Sequence, residues 1–364
     1  MAHTLWPASE AELAQMRQFN KKLAWLPRFK IRNRITPRLI QALLRVSQKV
    51  KKAPAAETRR VAGVPVRILR PEGKTQGVVL DIHGGGWVIG NAQMDDDLNL
   101  GMVQACGVAV VSVDYRLAVD TPVEGLMEDC LNAARWLLGS DEFTGLPVFV
   151  VGESAGGHLA AATLLALKQW PELLKRVSGA VLYYGVYDLT GTPSVRTAGP
   201  ETLLLDGPGM VDALRLLTPG LSDEERRQPP LSPLYGDFTG LPHALMFVGE
   251  LDPLLDDTLQ MAERWGAAAQ VEAHLLPESA HGLFIFRWRW RMAYLLTVEG
   301  GYRRESSRYS LVVISHSPAP RVTSDTRISR FPQGRTRDPF PCSRRAIGIF
   351  ADGRCSSRRI QLLV

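Results

Sequence analysis

Residues 148–162, VFVVGESAGGHLAAA, constrain this chain more than any other stretch. Four apolar strand formers, Val148 to Val151, run directly into Gly152-Glu153-Ser154-Ala155-Gly156, and small helix-forming residues follow. The pattern is strand, tight turn, helix. A serine at the tip of so sharp a turn is strained. Cβ atoms on its neighbours at 152 and 156 would collide with the strand or the helix, so both positions need glycine. The turn lifts the Ser154 hydroxyl into an open site. It also leaves the first helical amides unpaired and aimed at the same space, which favours a developing negative charge. G-x-S-x-G is a short pattern, and its place between a strand and a helix is what marks Ser154 as a candidate nucleophile.

Further along, apolar strands alternate with helices. Short strands flank Ala62-Gly63, and others are expected at 77–82, 107–113, 178–184, 244–248 and 271–276, with helices near 123–138 and 258–265. This predicts an α/β fold: a mostly parallel central sheet of about eight strands, flanked by helices on both faces. Residues 190–233, rich in Gly and Pro, read as irregular.

A serine hydroxyl needs a base to take its proton, and that base needs a carboxylate to fix its tautomer. In such a sheet the reactive groups lie past the carboxyl ends of strands, in chain order serine, acid, histidine. Of seven histidines, His281 follows the last expected strand, in Pro277-Glu278-Ser279-Ala280-His281-Gly282. His274 lies inside that strand, His158 sits one turn into the helix after Ser154, and His243 precedes a strand. For the acid, Asp252 stands just after the strand ending at Val248. Its rivals are Asp188, after the preceding strand, and Asp256 or Asp257, better placed to cap or solvate the next helix. Glu153, beside the nucleophile, reads as a supporting hydrogen-bonding group.

The strand at 77–82 runs into His83-Gly84-Gly85-Gly86-Trp87. A triple glycine lets backbone amides approach a substrate closely, and the turn at Ser154 offers the amide of Ala155. Such donors matter because acyl transfer passes through an oxyanion, and losing one costs ~10² to 10³ in rate. A phosphate-binding loop does not fit, since the G-K-[ST] ending and the G-x-G-x-x-G spacing are both missing. His83 reads as a brace for the loop.

Formal charge is +6, distributed as +11 over residues 1–60, −16 over 61–286 and +11 over 287–364. The basic charge therefore lies outside the expected core, which argues against nucleic acid as a partner. The four cysteines, Cys106, Cys130, Cys342 and Cys355, are scattered and suggest neither a disulfide framework nor a metal site. The N-terminal residues lack a basic-then-apolar leader, and no run reaches the ~18 to 20 apolar residues of a membrane span, so the cytoplasm is the expected compartment.

Residues 8–50 read as helices. Ser9 with Glu12 forms a capping-box signature, and Thr36-Pro37 opens a second helix. In that helix Leu39, Ile40, Leu43, Leu44 and Val46 fall mostly on one face and Arg38, Arg45 and Lys49 on another. The expectation is that the apolar face packs on the main domain, with a membrane-surface or lid role as the alternative. From about Arg287 the chain has no lysine, many Arg, Ser and Pro, and no sustained periodicity. It reads as an atypical tail, either disordered or translated out of frame from shortly after His281, and the second fits its composition better.

Taken together, HGGGW at 83–87, DYRLA at 114–118, GESAGG at 152–157, DPLLD at 252–256 and the His281-Gly282 pair resemble the hormone-sensitive-lipase family of α/β hydrolases, the bacterial family IV esterases. The resemblance spans roughly residues 60–286. It implies an α/β-hydrolase fold with a helical cap, a triad of Ser154, Asp252 and His281, and oxyanion donors from Gly85, Gly86 and Ala155. It further implies a cofactor-independent carboxylesterase for short- to medium-chain esters. The cap would come from residues 1–55 and 190–232, and the catalytic core from 56–189 and 233–286. Val119-Asp120 replaces the family's usual Pro-Glu, and the tail departs from the helix that usually follows the histidine. The expected partner is a small-molecule ester, with no metal and no cofactor; the oligomeric state is open, and a homodimer is compatible with the sequence. An amidase or aryl-formamidase could use the same triad. A non-catalytic ligand-binding homologue is disfavoured by the retained His281.

Overall fold

The computed structural model describes residues 3–31, 33, 35–50, 55–282, 296–299 and 310–313. The elements run β1 (Thr4–Leu5), α1 (Glu10–Leu23), α2 (Ile35–Val50), β2 (Glu57–Val61), β3 (Val64–Leu69), β4 (Gly77–Ile82), α3 (Asp96–Cys106), β5 (Val108–Val113), α4 (Val123–Gly139) and β6 (Val148–Glu153). They continue with α5 (Ala155–Ala166), α6 (Pro171–Leu174), β7 (Val177–Tyr183), α7 (Pro193–Arg196), α8 (Met210–Leu217), α9 (Asp223–Arg226), β8 (Ala244–Gly249), α10 (Leu255–Gly266), β9 (Val271–Leu276), β10 (Leu296–Glu299) and β11 (Ser310–Val313).

Every residue of β4, β5, β6 and β8 is buried, which is why these strands read as unbroken apolar runs: helices cover both of their faces. The main sheet has the order β1-β9-β8-β7-β6-β4-β5-β3-β2, parallel from β1 to β5 and antiparallel at β3 and β2. Residues of α4, α5 and α10 pack in the apolar core on one face; α1 and α3 contribute Met16, Met102, Val103 and Cys106 to the other. β4 lies between β5 and β6, so the connections leaving β4 and β6 part to opposite sides. A crevice opens at their carboxyl ends, the usual place for a ligand in an open α/β sheet.

The sheet has nine strands rather than about eight. The extra one, β1, is two exposed residues pairing Thr4 with His274 and Leu5 with Leu275, too short to show any periodicity. The segment 190–233, expected to be irregular, contains α7, α8 and α9. Two of these are single turns held by their surroundings, as when Ser222 and Glu225 cap α9 reciprocally. The helix α3 carried no expectation either.

The capping box at Ser9 and Glu12 forms as expected. The second helix departs from its reading twice. It starts at Ile35, where Asn33 Oδ1 accepts from the amides of Ile35 and Thr36. Its most buried residues are Pro37 and Gln41, with Ile40 and Leu44 half-buried on the same side, while Leu39, Leu43 and Val46 face outward. The cause is a pair of glutamines. Gln41 donates to Gly90 O and accepts from Gly90 N, both at 2.8 Å, and Gln48 pairs with Asn91. In the tail, β10 and β11 form an antiparallel pair; the reading of residues 287–364 otherwise lies outside the described residues. No described helix is long and apolar enough to cross a membrane.

Asp257 ties α10 to the loop after β7. Its carboxylate accepts from Tyr187 N at 2.6 Å, Asp188 N at 3.1 Å and Thr192 Oγ1 at 2.6 Å. It is therefore a buried structural acceptor, not a solvated cap. Burial pushes its pKa from 3.8 up to about 7, against the lowering effect of those donors. The folded state is thus the better proton binder between those values, so this group's contribution to stability falls as pH rises toward 7 and is recovered below about 4. Denaturant titrations should show Asp257→Asn flattening this part of the stability–pH curve between about pH 4 and 7.

Candidate active site

β6 ends in Glu153, and Ser154 follows with φ 52° and ψ −118° before α5 begins. That strained turn survives because it is held on both sides. Ser154 N donates to Tyr183 O on β7 at 2.9 Å, and Ser154 O accepts from His158 N at 3.2 Å. The two glycines are required by contact. A Cβ on Gly156 would sit 1.9 Å from Ile82 O at the end of β4, and one on Gly152 would sit 2.4 Å from Gly156 O.

The Ser154 hydroxyl meets His281 Nε2 at 3.0 Å, and His281 Nδ1 meets Asp252 Oδ2 at 2.9 Å. Asp252 Oδ1 accepts from Leu254 N at 2.9 Å, which fixes the carboxylate plane. Asp252 and His281 are both buried, whereas Ser154 is partly accessible. The acid and base loops leave neighbouring strands, β8 and β9, and lie in contact: Leu251 N donates to Ser279 O at 3.0 Å and Glu278 N to Glu250 Oε2 at 3.0 Å. A Cβ at Gly249 would come within 2.1 Å of Ser279 O. From the N-terminal side, Arg17 on α1 grips the Glu278 carboxylate in a two-pronged pair, and Asn20 donates to Glu278 O. The Tyr184 ring packs edge-on to His281 at 4.7 Å.

The loop after β4 turns over this group. Gly85 has φ 103° and Gly86 φ 59°, and a side chain at either would strike Ile89 O or Phe29. His83 braces it: its ring stacks on Tyr115 at 4.2 Å, and Nδ1 lies 2.8 Å from Gly84 O. Burial pushes the His83 pKa down to about 4, so the ring is neutral at ordinary pH. Glu153 links loop and turn, accepting from Gly84 N at 3.3 Å and from Tyr184 Oη at 3.0 Å. Burial pushes its pKa up to about 7, with the charge of Asp81 adding to the rise.

The rival groups lie elsewhere. Asp188 accepts from Thr190 and Tyr235, Asp256 from Ser194 N, and Asp257 is engaged as above. His158 accepts from Trp87 Nε1 at Nδ1 and points Nε2 at Leu231 O; His274 packs against Trp6 and Phe247. Val119 is buried and Asp120 pairs with Arg38 of α2, so the departure at this turn serves the N-terminal helices. Sequence reasoning missed the buried set beneath the loop, in which Asp81 accepts from Asn99 and Ser112, each at 2.7 Å. It also missed Tyr115, Tyr184 and the Arg17 brace, whose partners are distant in sequence and carry no spacing signal. Among the described residues, no cluster of His, Cys, Asp or Glu could hold a metal ion.

Strand order, a serine on a strained turn after β6 and a glycine loop after β4 define the α/β hydrolases, and residues 79–285 match the alpha/beta hydrolase fold family. The chain is 30% identical over 226 residues to an arylesterase of Saccharolobus solfataricus, covering 58% of this chain and 71% of the relative. It superposes on an esterase of Pyrobaculum calidifontis with a TM-score of 0.65 and 26% identity, covering 77% of this chain and 92% of that one. For an esterase of the bacterial hormone-sensitive lipase family the TM-score is 0.63 and the identity 28%, with 77% and 92% covered. The chain belongs to the α/β hydrolases, and within them to the hormone-sensitive-lipase-like family IV esterases, as a carboxylic-ester hydrolase.

Gly156→Ala tests the tightest contact. The backbone of β4 has nowhere to move, so chemical denaturation should show a loss of at least ~2 kcal/mol, beyond an ordinary surface substitution.

Proposed function

We propose that the chain is a serine carboxylesterase acting on short- to medium-chain acyl esters through an acyl-enzyme, with Ser154, His281 and Asp252 as its triad. The observation that carries this reading is the continuous hydrogen-bonded line from Ser154 Oγ to His281 Nε2 and from His281 Nδ1 to Asp252 Oδ2. Ser154 Oγ attacks the ester carbonyl while His281 Nε2 takes its proton. Asp252 holds the other ring nitrogen protonated and stabilises the imidazolium that forms. The carbonyl oxygen becomes an oxyanion, met by the amides of Gly85, Gly86 and Ala155. His281 then gives its proton to the leaving alcohol. Water, deprotonated by His281, attacks the acyl carbon, and collapse of the second tetrahedral adduct releases the acid and restores Ser154.

Residues 1–55 and 190–232 act as the cap, with 56–189 and 233–286 as the catalytic core. In support, Phe29 N donates to Leu204 O at 2.6 Å and Arg28 Nε to Thr202 O at 2.5 Å, so the N-terminal segment and the insertion meet. Beside Gly86 they leave a cavity of about 60 Å³, lined by Ile31, Trp87, Ala213, Leu216 and Leu217. The relative's name, arylesterase, makes phenolic esters a sensible first substrate.

Hydrolysis of p-nitrophenyl esters from acetate to palmitate tests the proposal. Activity should peak at short chains, and Ser154→Ala should lower kcat by ~10⁴ or more without unfolding the protein. Asp252→Asn, which leaves the wrong tautomer available to His281, should cost ~10⁴ in kcat with KM little changed. A folded wild type no more active than Ser154→Ala on every chain length would defeat the reading.

A further inference from the structure

The helix α2 turns a mixed face toward the protein, Pro37, Ile40, Gln41, Leu44 and Gln48, and leaves a second apolar stripe outside. Gln41 and Gln48 hold the loop at Gly90 and Asn91, and Pro37 is buried between them and the helix start. The opposite face carries Ile35, Leu39, Leu43 and Val46, exposed by 67%, 63%, 70% and 60%. Spacings of four, four and three residues place all four on one stripe. At the end of α1, Trp25 is 90% exposed and Leu26 50%. A soluble helix normally buries this stripe, so a contiguous exposed one marks a contact surface.

Charge identifies the occupant. Arg38 and Arg45, seven residues apart, flank the stripe; α1 ends in Lys21 and Lys22; and residues 1–60 carry +11 while residues 61–286 carry −16. The acids on that flank are Asp120, paired with Arg38, and Asp114, within electrostatic reach of Arg45; both lie on the body side of the helix rather than on the stripe. A second copy meeting this face symmetrically would set the same basic flank against itself. An anionic lipid surface instead offers hydrocarbon to the leucines and headgroup charge to the arginines, the arrangement of an in-plane amphipathic helix. We propose that the outward face of α2, with Trp25 and Leu26, docks this protein onto the surface of an anionic phospholipid bilayer. The inner side of that helix is fastened to Gly90 and Asn91, in the segment that follows the glycine loop.

Co-sedimentation with phosphatidylcholine vesicles, with and without one-third phosphatidylglycerol, tests this on the full-length protein. The wild type should pellet with the mixed vesicles, weakly with pure phosphatidylcholine, and less as salt is raised. Replacing Leu39 and Leu43 together by Gln should lower partitioning about tenfold or more, and Arg45→Glu should remove the preference for phosphatidylglycerol. The double variant should keep the circular-dichroism spectrum and melting temperature of the wild type, which shows that it folds. No partitioning by the wild type, or equal partitioning by the double variant, overturns the proposal. So does a concentration-dependent dimer that the double substitution dissolves in the absence of vesicle binding. Because sedimentation is read without turnover, vesicle binding by a protein inactive on esters would defeat the esterase reading alone. Ester turnover without vesicle binding would defeat the docking alone.

Discussion

The crossing of α5 over the end of β4 is the contact on which the site depends. Gly156 lies so close to Ile82 O that even a methyl group would overlap it. That closeness lets two connections leave adjacent strands and still address one point: the turn that raises Ser154, and the glycine loop at 84–86. Separation of the two by the width of a side chain would leave the serine and the amides of the glycine loop facing different spaces. Interiors this dense do not yield by small adjustments, so the strain at Ser154 is maintained by the packing rather than by the residue itself.

The same device recurs on the other side of the serine. Gly249 passes Ser279 O where a side chain could not, which brings the Asp252 and His281 loops into register across β8 and β9. Placement of the His281 ring is then shared. Asp252 orients it from below, Tyr184 packs against its ring, and Arg17 holds the far end of its loop through Glu278. Beneath the glycine loop, buried carboxyls replace apolar packing. Burial drives Asp95 well above the usual carboxylate range and Asp81 to about 6, and Glu153 joins loop to turn. Each of these groups costs desolvation, offset where donors such as Asn99, Ser112 and the Gly84 amide reach it.

The N-terminal helices reverse the usual logic of a globular surface. Gln41 fastens α2 to the body beside the half-buried Ile40 and Leu44, because Gly90 offers it both a donor and an acceptor at one spot. Leu39 and Leu43 are left exposed among the described residues.

By itself the sequence determined the central strands, the turn at Ser154 and the order serine, acid, histidine. Buried parallel strands are continuous apolar runs, and a strained turn flanked by glycine has few other spellings. It also singled out Asp252 and His281, because position after a strand is a local property. Only the tertiary structure decided which way α2 faces, since periodicity gives a stripe but not its partner. Likewise it alone decided that Asp257 is a buried acceptor, and that Arg17, Tyr184 and Asp81 belong to the site. Those roles arise from contacts between residues far apart in sequence, such as Arg17 and Glu278. Hydrogen bonds and burial of that kind exist only once the sheet has brought the segments together.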